Sequence, residues 1–426
     1  MNIAITAVFI IGYLLIASEQ FIKINKAATA LLTGVACWTL YVFGSHAGQD
    51  VGAQLIVQVA EIAGILFFLM GAMTIVEIID AHSGFDMVTA LLSAGSKRRL
   101  LWLTAIASFF LSAVLDNLTT TIVMVSLLSK ILPQREDLLV FTGMVIIAVN
   151  AGGAWTPIGD VTTTMLWIYG RITSLAIIKI LIAPSIVCAA IPLLWVSFRL
   201  KDGKKKILSQ KTDVLTMREQ RIGNLVFFLG IGALLFVPVF KTFTHLPPFI
   251  GMIFGLGILW VVTEIIHRKG DDEKRHKHSV TRALQRIDMP SIMFFLGILL
   301  SISALQAVGV LPALALWLDR SVRNMHFIVL AIGLLSAIVD NIPLVAGAIK
   351  MYPLSQFAVD HYFWSFLSYC AGTGGSALII GSAAGVAAMG MAKIDFVWYL
   401  KRFTPLALLG YTAGAAVYIL QGRLFF

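Results

Sequence analysis

The sequence predicts an all-α polytopic membrane protein with about ten transmembrane helices plus two re-entrant hairpins, in an inverted-topology repeat with helices broken at the midplane. Three observations predict it. Of 426 residues, 59% are hydrophobic and 13% charged, and mean hydropathy is +0.91, whereas soluble domains carry about 25% charged residues. Apolar runs of crossing length recur along the whole chain. Twice, an Asp-Asn pair stands inside such a run, as Ser112-Ala-Val-Leu-Asp116-Asn117-Leu-Thr-Thr-Thr121 and as Ser336-Ala-Ile-Val-Asp340-Asn341-Ile-Pro343.

A helix needs about 20 apolar residues to cross the hydrocarbon core. On that length, spans fall near 3–18, 27–44, 55–79, 138–168, 173–198, 222–240, 247–266, 289–308, 362–390 and 403–421. The segments 100–131 and 326–350 are too long for one straight crossing and carry the Asp-Asn pair near the middle. Each reads as a hairpin that enters and leaves on the same side, with a polar tip at mid-membrane.

The basic residues support that count. With the N-terminus outside, the segments 23–26, 97–99, 130–135, 199–221, 267–286 and 393–402 face the cytoplasm and hold 25 of the 32 Lys and Arg residues. This is the asymmetry that sets orientation, and making either hairpin a full crossing would destroy it. Both termini are then expected outside. The net charge of +10 thus reflects loop placement beside lipid headgroups and not nucleic-acid binding. No basic region precedes the first apolar run and no Arg- and Ser-rich transit segment stands there, which points to a bacterial cytoplasmic (inner) membrane. Cys37, Cys188 and Cys370 are isolated within apolar segments and read as small buried hydrophobes. His267, His276 and His278 lack helical ligand spacing to a carboxylate, so no metal site is expected in that loop.

Internal similarity organises the chain. The motif at Glu61 echoes that at Asp288. Asp116 pairs with Asp340, and Gly152-Gly153-Ala-Trp-Thr-Pro-Ile-Gly159-Asp160 pairs with Gly374-Gly375-Ser-Ala-Leu-Ile-Ile-Gly381-Ser382. Residues 1–200 form the first repeat, 201–221 a basic linker and 222–426 the second repeat, each with five spans and one hairpin. Five is odd, so the second repeat runs the opposite way, and the site is expected between the halves.

Ionisable groups in hydrocarbon are costly and mark substrate or ion sites. Asp116, Asp160 and Asp340 are the candidates, with Glu61 a further carboxylate near an interface. Asn117, Asn341, Ser112 and Ser336 supply neutral oxygens at the tips; in a packing role such hydroxyls bond back to helix carbonyls. In Asn150-Ala-Gly-Gly-Ala-Trp-Thr-Pro-Ile-Gly-Asp160-Val-Thr162-Thr163 the glycines and Pro157 interrupt the helix and free backbone groups. That is tolerated at membrane depth where it lines a cavity. Two neighbouring buried carboxylates resist joint ionisation, so Na⁺ and H⁺ competing for one acidic site suffices for exchange.

The Glu77-Ile-Ile-Asp80-Ala-His82, Asp116-Asn-Leu-Thr-Thr-Thr, Asn150-to-Thr163 and Asp340-Asn-Ile-Pro motifs together resemble the NhaD family of sodium/proton antiporters. That family lies within the ion transporter superfamily, with arsenite permeases and dicarboxylate/sodium symporters. The resemblance covers nearly the whole chain. It implies Na⁺ or Li⁺ efflux against H⁺ uptake, no cofactor, a homodimer and an elevator-type movement. It carries ion-binding roles to Ser112, Asp116, Asn117, Asn150, Asp160, Thr162, Thr163, Ser336, Asn341 and Ser376, with sodium expected at Asp116, Asn117, Asp160 and Asn341. Three alternatives stay open: a sodium-coupled dicarboxylate symporter, an arsenite permease, and, more remotely, an intramembrane aspartyl protease using Asp116 and Asp160. Added negative charge at the tips disfavours a dicarboxylate.

Overall fold

The structure is a computed structural model that describes residues 2–44, 50–86, 96–200, 216–268, 278–322, 324–338 and 341–425. In the bilayer core every backbone N–H and C=O must be satisfied within the segment, and the described residues are accordingly helices joined by turns. In chain order these are α1 (Asn2–Ala17), α2 (Glu19–Ile22), α3 (Lys26–Gly44), α4 (Val51–Ala81), α5 (Lys97–Leu115), α6 (Asn117–Ile131) and α7 (Arg135–Ala154). There follow α8 (Val161–Ile168), α9 (Ser174–Arg199), α10 (Met217–Thr244), α11 (Pro248–His267), α12 (Val280–Arg286), α13 (Met289–Ala307) and α14 (Val310–Ser321). The chain ends with α15 (Met325–Leu335), α16 (Asn341–Met351), α17 (Tyr362–Gly374), α18 (Ala383–Ala392), α19 (Phe396–Arg402) and α20 (Thr404–Phe425).

The starts are written in the sequence. Asp50, Ser96, Thr173, Ser279 and Asp288 each accept a backbone N–H of the first turn, and Thr216 with Glu219 forms a reciprocal capping box at α10,. Eight helices among the described residues are long and apolar enough to cross a membrane. Seven of them are expected crossings, or the first part of one. The eighth, α5, is the first arm of the expected hairpin: it has crossing length by itself, but the chain breaks at Asp116 and both arms pack against α7.

Two expected crossings are not single helices. The run 138–168 divides into α7 and α8 around a non-helical stretch at 155–160, and 362–390 divides into α17 and α18 around 375–382. Glycine and Pro157 explain the first break, since proline removes an intrahelical donor and its ring clashes with the preceding turn. The short helices α14 and α19 were not anticipated. α19 turns 117° from α18, too short and too bent to read as a span.

Packing sorts the helices into two groups. α3 packs on α1 and α13, while α4 packs on α10, α11 and α13. Gly34 and Gly297 let α3 and α13 approach closely: a Cβ at Gly34 would stand 2.7 Å from the Gly297 carbonyl oxygen,. In the second group α5 and α6 pack on α7, α15 on α17, and α9 on α20. Its buried tyrosines satisfy their hydroxyls on backbone carbonyls, Tyr369 on Tyr411 and Tyr411 on Leu330,. The hairpin arm α16 touches both groups, through α8 and α13. The three cysteines are buried thiols.

Candidate ion-binding site

The first hairpin turns on Asp116, whose φ of 83° and ψ of 161° fall in a region that is essentially glycine's. An L-residue stays there only if its surroundings hold it. Here the carboxylate does so itself: Oδ1 accepts from the Thr119 N–H at 2.7 Å and Oδ2 from the Thr119 hydroxyl at 3.0 Å. Asp116 therefore caps α6 and places Asn117 as the first helical residue. Its other flank borders a small cavity shared with Phe68, Leu69, Thr164, Leu234 and Met252. That cavity lies on the seam between the two packing groups.

Asp160 does the same for α8. Its Oδ1 accepts from the Thr162 N–H and the Thr162 hydroxyl, both at 2.9 Å, and its Oδ2 accepts from Asn117 Nδ2 at 3.0 Å. Asn117 Nδ2 also donates to Asn150 Oδ1 at 3.1 Å. Asn150 in turn donates through Nδ2 to Ser376 at 2.9 Å and Ser382 at 3.1 Å. One buried network thus runs from the hairpin tip through both breaks of the chain. Asn117, Asn150, Asp160, Thr162, Ser376 and Ser382 are all buried, Asp160 at 1% exposure. Thr163 joins the halves nearby, its hydroxyl 2.8 Å from that of Ser368.

The hairpins are stitched to the broken helices by matching contacts. Ser112 donates to the Val149 carbonyl at 2.6 Å, and Thr156 to that of Ala113 at 2.6 Å. Some 220 residues on, Ser336 donates to Gly333 at 2.6 Å and to Ala371 at 3.0 Å. A Cβ at Gly152 would stand 2.1 Å from the Phe109 carbonyl oxygen, and one at Gly374 2.0 Å from that of Gly333. The two glycine runs exist so that a hairpin backbone can lie directly on a helix end.

Of the residues expected at the site, the structure brings Asn117, Asn150, Asp160, Thr162 and Ser376 into direct contact, with Asp116 adjoining. Ser112 and Ser336 are spent on carbonyls, as a packing role requires. Asn341 is buried at the start of α16 but has no hydrogen bond to the network. Asp340 lies outside the described residues. Glu61 is elsewhere: it is exposed and paired with Lys350 at 2.7 Å, and Gln58 takes a second bond from the same ammonium at 3.1 Å. Sequence reasoning missed Ser382 and Ser368. Ser382 was visible as the counterpart of Asp160, but a serine gave no reason to prefer it over any other. The expectation against a histidine metal site is also corrected in its premise. His267 and His278 do converge, and His82 completes the group; the criterion of spacing along one helix could not see a ligand from so far up the chain. His276 lies outside the described residues.

Asp116 and Asp160 occupy the helix N-termini that would otherwise attract an anion. The amides and hydroxyls around Asp160 give neutral oxygens. A carboxylate among neutral oxygens is the donor set of a hard monovalent cation.

Comparison with known proteins places this arrangement. The citrate transporter family matches residues 13–367. Sodium/proton antiporter 1 of Arabidopsis thaliana is 48% identical over 100% of this chain and 73% of its own length, and sodium/proton antiporter 2 of the same plant is 47% identical over 96% and 97%. The Na⁺/H⁺ antiporter NhaD of Vibrio cholerae is 30% identical over 97% of this chain and 90% of its own. Among solved structures, the YdaH transporter of Alcanivorax borkumensis matches the fold with a TM-score of 0.61 over 94% of this chain and 99% of its own, at 11% identity. These are transporters, which removes the protease reading. The chain is a multi-pass membrane protein that belongs to the NhaD family of sodium/proton antiporters, within the wider citrate transporter family.

Proposed function

We propose that this protein exchanges Na⁺ or Li⁺ for H⁺ at the network of Asp160, Asn117 and Asn150, with Asp116 at its edge. One observation carries the reading: a carboxylate at 1% exposure is held by Asn117 and Thr162, in a buried network that Asn117 and Asn150 extend to Ser376 and Ser382 of the other half. Burying an ionised carboxylate is costly unless a positive charge accompanies it. Either a proton or an alkali cation meets that need, and each excludes the other. The coupling of the two ions follows from this exclusion, provided the site opens to each side of the membrane in turn. The wider family's citrate would require the helix N-termini that Asp116 and Asp160 fill with their own oxygens, so a cation is favoured over a carboxylate substrate.

For alternating access the reading is an elevator-type movement. The helices α5–α9 with α15, α17, α18 and α20 pack among themselves, as do α1, α3, α4, α10, α11 and α13. Asp116 and its cavity lie on the seam between these groups. The Glu61–Lys350 pair ties α4 to α16, the arm that touches both groups, and a partly exposed ion pair contributes only about 0.2–1 kcal/mol, too little to hold the arm in place. In this reading the protein is a homodimer in a bacterial cytoplasmic membrane, with both termini outside and residues 1–200 and 222–426 as opposed repeats.

The test is a proteoliposome assay with an imposed pH gradient, in which internal pH is followed on addition of Na⁺, Li⁺, K⁺, citrate or succinate. Proton movement driven by Na⁺ or Li⁺ and lost in Asp160→Asn supports the proposal. Sodium-driven uptake of citrate or succinate, with no cation-driven proton movement, overturns it.

A further inference from the structure

Away from the buried network, three imidazoles meet at one end of the bundle. His82 follows the last turn of α4, His267 closes α11, and His278 immediately precedes Ser279, the cap of α12. One ligand nitrogen from each lies within 4.8 Å of the others. Nε2 of His82 and Nε2 of His267 are 3.0 Å apart. The rings of His267 and His278 lie 9° from parallel with centroids 4.9 Å apart, and His82 is 4.9–5.1 Å from both.

His82 is fixed from behind. Its Nδ1 lies 2.7 Å from the Ile78 carbonyl oxygen. A carbonyl only accepts, so Nδ1 carries the proton and Nε2 presents its lone pair to the cluster. A backbone carbonyl on the far ring nitrogen is how metal-bound imidazoles are held in tautomer and orientation. The spacing agrees as well. Zn–N bonds of about 2.0–2.1 Å in a tetrahedron set neighbouring ligand nitrogens roughly 3.3 Å apart, and the facing Nε2 atoms stand at 3.0 Å.

We propose that His82, His267 and His278 bind a divalent transition-metal ion of the Zn²⁺ class, with water as the fourth ligand, and that the ion pins α4, α11 and the start of α12 to one another. Three imidazoles select such an ion over Na⁺, Mg²⁺ or Ca²⁺, which prefer oxygen. The site is therefore chemically separate from the carboxylate network. Of the three helices it ties, α11 and α12 both already pack on α4, so the ion reinforces an existing contact and does not create one. The proposal holds whichever ion the protein transports.

The test uses full-length, untagged protein in detergent, stripped with EDTA and titrated with Co²⁺ and then Zn²⁺. The expected result is one Co²⁺ per chain with the visible absorption of a tetrahedral nitrogen site, displaced by Zn²⁺. His82→Ala, His267→Ala and His278→Ala should each weaken Zn²⁺ binding by about tenfold or more. His326→Ala, whose ring packs on Tyr362, should leave it unchanged. Thermal melting separates a lost site from a lost fold: in EDTA the variants should melt with the wild type, and Zn²⁺ should raise the Tm of the wild type alone. Failure of the wild type to bind Co²⁺ stoichiometrically, or binding that survives all three substitutions, overturns the proposal.

Discussion

In the first half of the chain Asp160 stands where the helix resumes after its break; in the second half Ser382 stands at the corresponding turn. Both side chains accept from a backbone N–H of the helix they begin, Asp160 from Thr162 and Ser382 from Gly385. Both breaks rest on a hairpin through a glycine that tolerates no Cβ. The backbone is thus built twice and the charge is placed once, on the described residues. Asn150 ties the two breaks together: it accepts from Asn117, which also holds Asp160, and donates across to Ser376 and Ser382, so the second half's neutral oxygens fix the amide that orients the carboxylate's partner. A carboxylate at position 382 would add a further like charge to a network that Asp116 already adjoins.

The largest expected effect removes that asymmetry. Asp160→Asn keeps the shape but makes both turn positions, 160 and 382, neutral, and it sets a donor against the Asn117 amide or the Thr162 N–H where an oxygen accepted,. Cation-driven proton movement in proteoliposomes should fall at least about a hundredfold, the scale on which deleting a buried charge acts. Retention of wild-type exchange by this variant would mean that the charge of the first half is not what distinguishes it. Ser382→Ala probes the other side. Asn150 keeps Ser376 as a partner, so the network loses one neutral hydrogen bond, worth about 1 kcal/mol, while the lost cap on the Gly385 N–H lowers the Tm and leaves the network's own bonds in place,. Apparent Na⁺ affinity should weaken roughly fivefold by the same conversion, with exchange preserved. Equal damage from the two substitutions would make the halves equivalent in function as well as in backbone.

Much of this comparison was legible in the sequence, for a physical reason. A carboxylate in an apolar run is so costly that Asp116 and Asp160 announced themselves. Glycine pairs recurred at nearly constant offset because close backbone approach admits no other residue. What stayed hidden depends on the third dimension. Ser382 carries no charge and looks like any small residue. α14 is short and amphipathic. His82 meets His267 from 185 residues away, a distance at which no spacing rule operates. The partner of Glu61 stayed hidden for a related reason, since nothing local showed that Lys350 would reach it.

A second way to break the comparison is steric. Gly152→Ala and Gly374→Ala each drive a methyl group into a backbone carbonyl, at 2.1 and 2.0 Å from the ideal Cβ. Backbone cannot rotate away as a side chain does, so the helix end and hairpin must separate. Overpacking of this kind costs about 1–3 kcal/mol. If both halves use the same stitch, the two variants should lower the Tm by similar amounts. A large fall for one and none for the other would show that only one glycine run bears on its hairpin.

The smallest expected effect tests the hydroxyl stitches. Ser112 crosses from the hairpin to the Val149 carbonyl of α7, which leads into the break before Asp160. Ser336 divides its hydroxyl between Gly333 in its own helix and Ala371 across the contact. A hydroxyl has one proton, so Ser336 shares between two acceptors what Ser112 gives to one. Ser112→Ala should therefore cost the full value of a buried neutral hydrogen bond, about 1 kcal/mol, and Ser336→Ala somewhat less, because Gly333 keeps an alternative within its helix. Thermal melting of the two variants checks the order. Exchange should follow the same ranking, since loosening the first stitch also loosens the seat of Asn117 beside Asp160. If instead either variant abolished exchange while melting like the wild type, that serine would be acting on the ion itself and not on the packing that surrounds it.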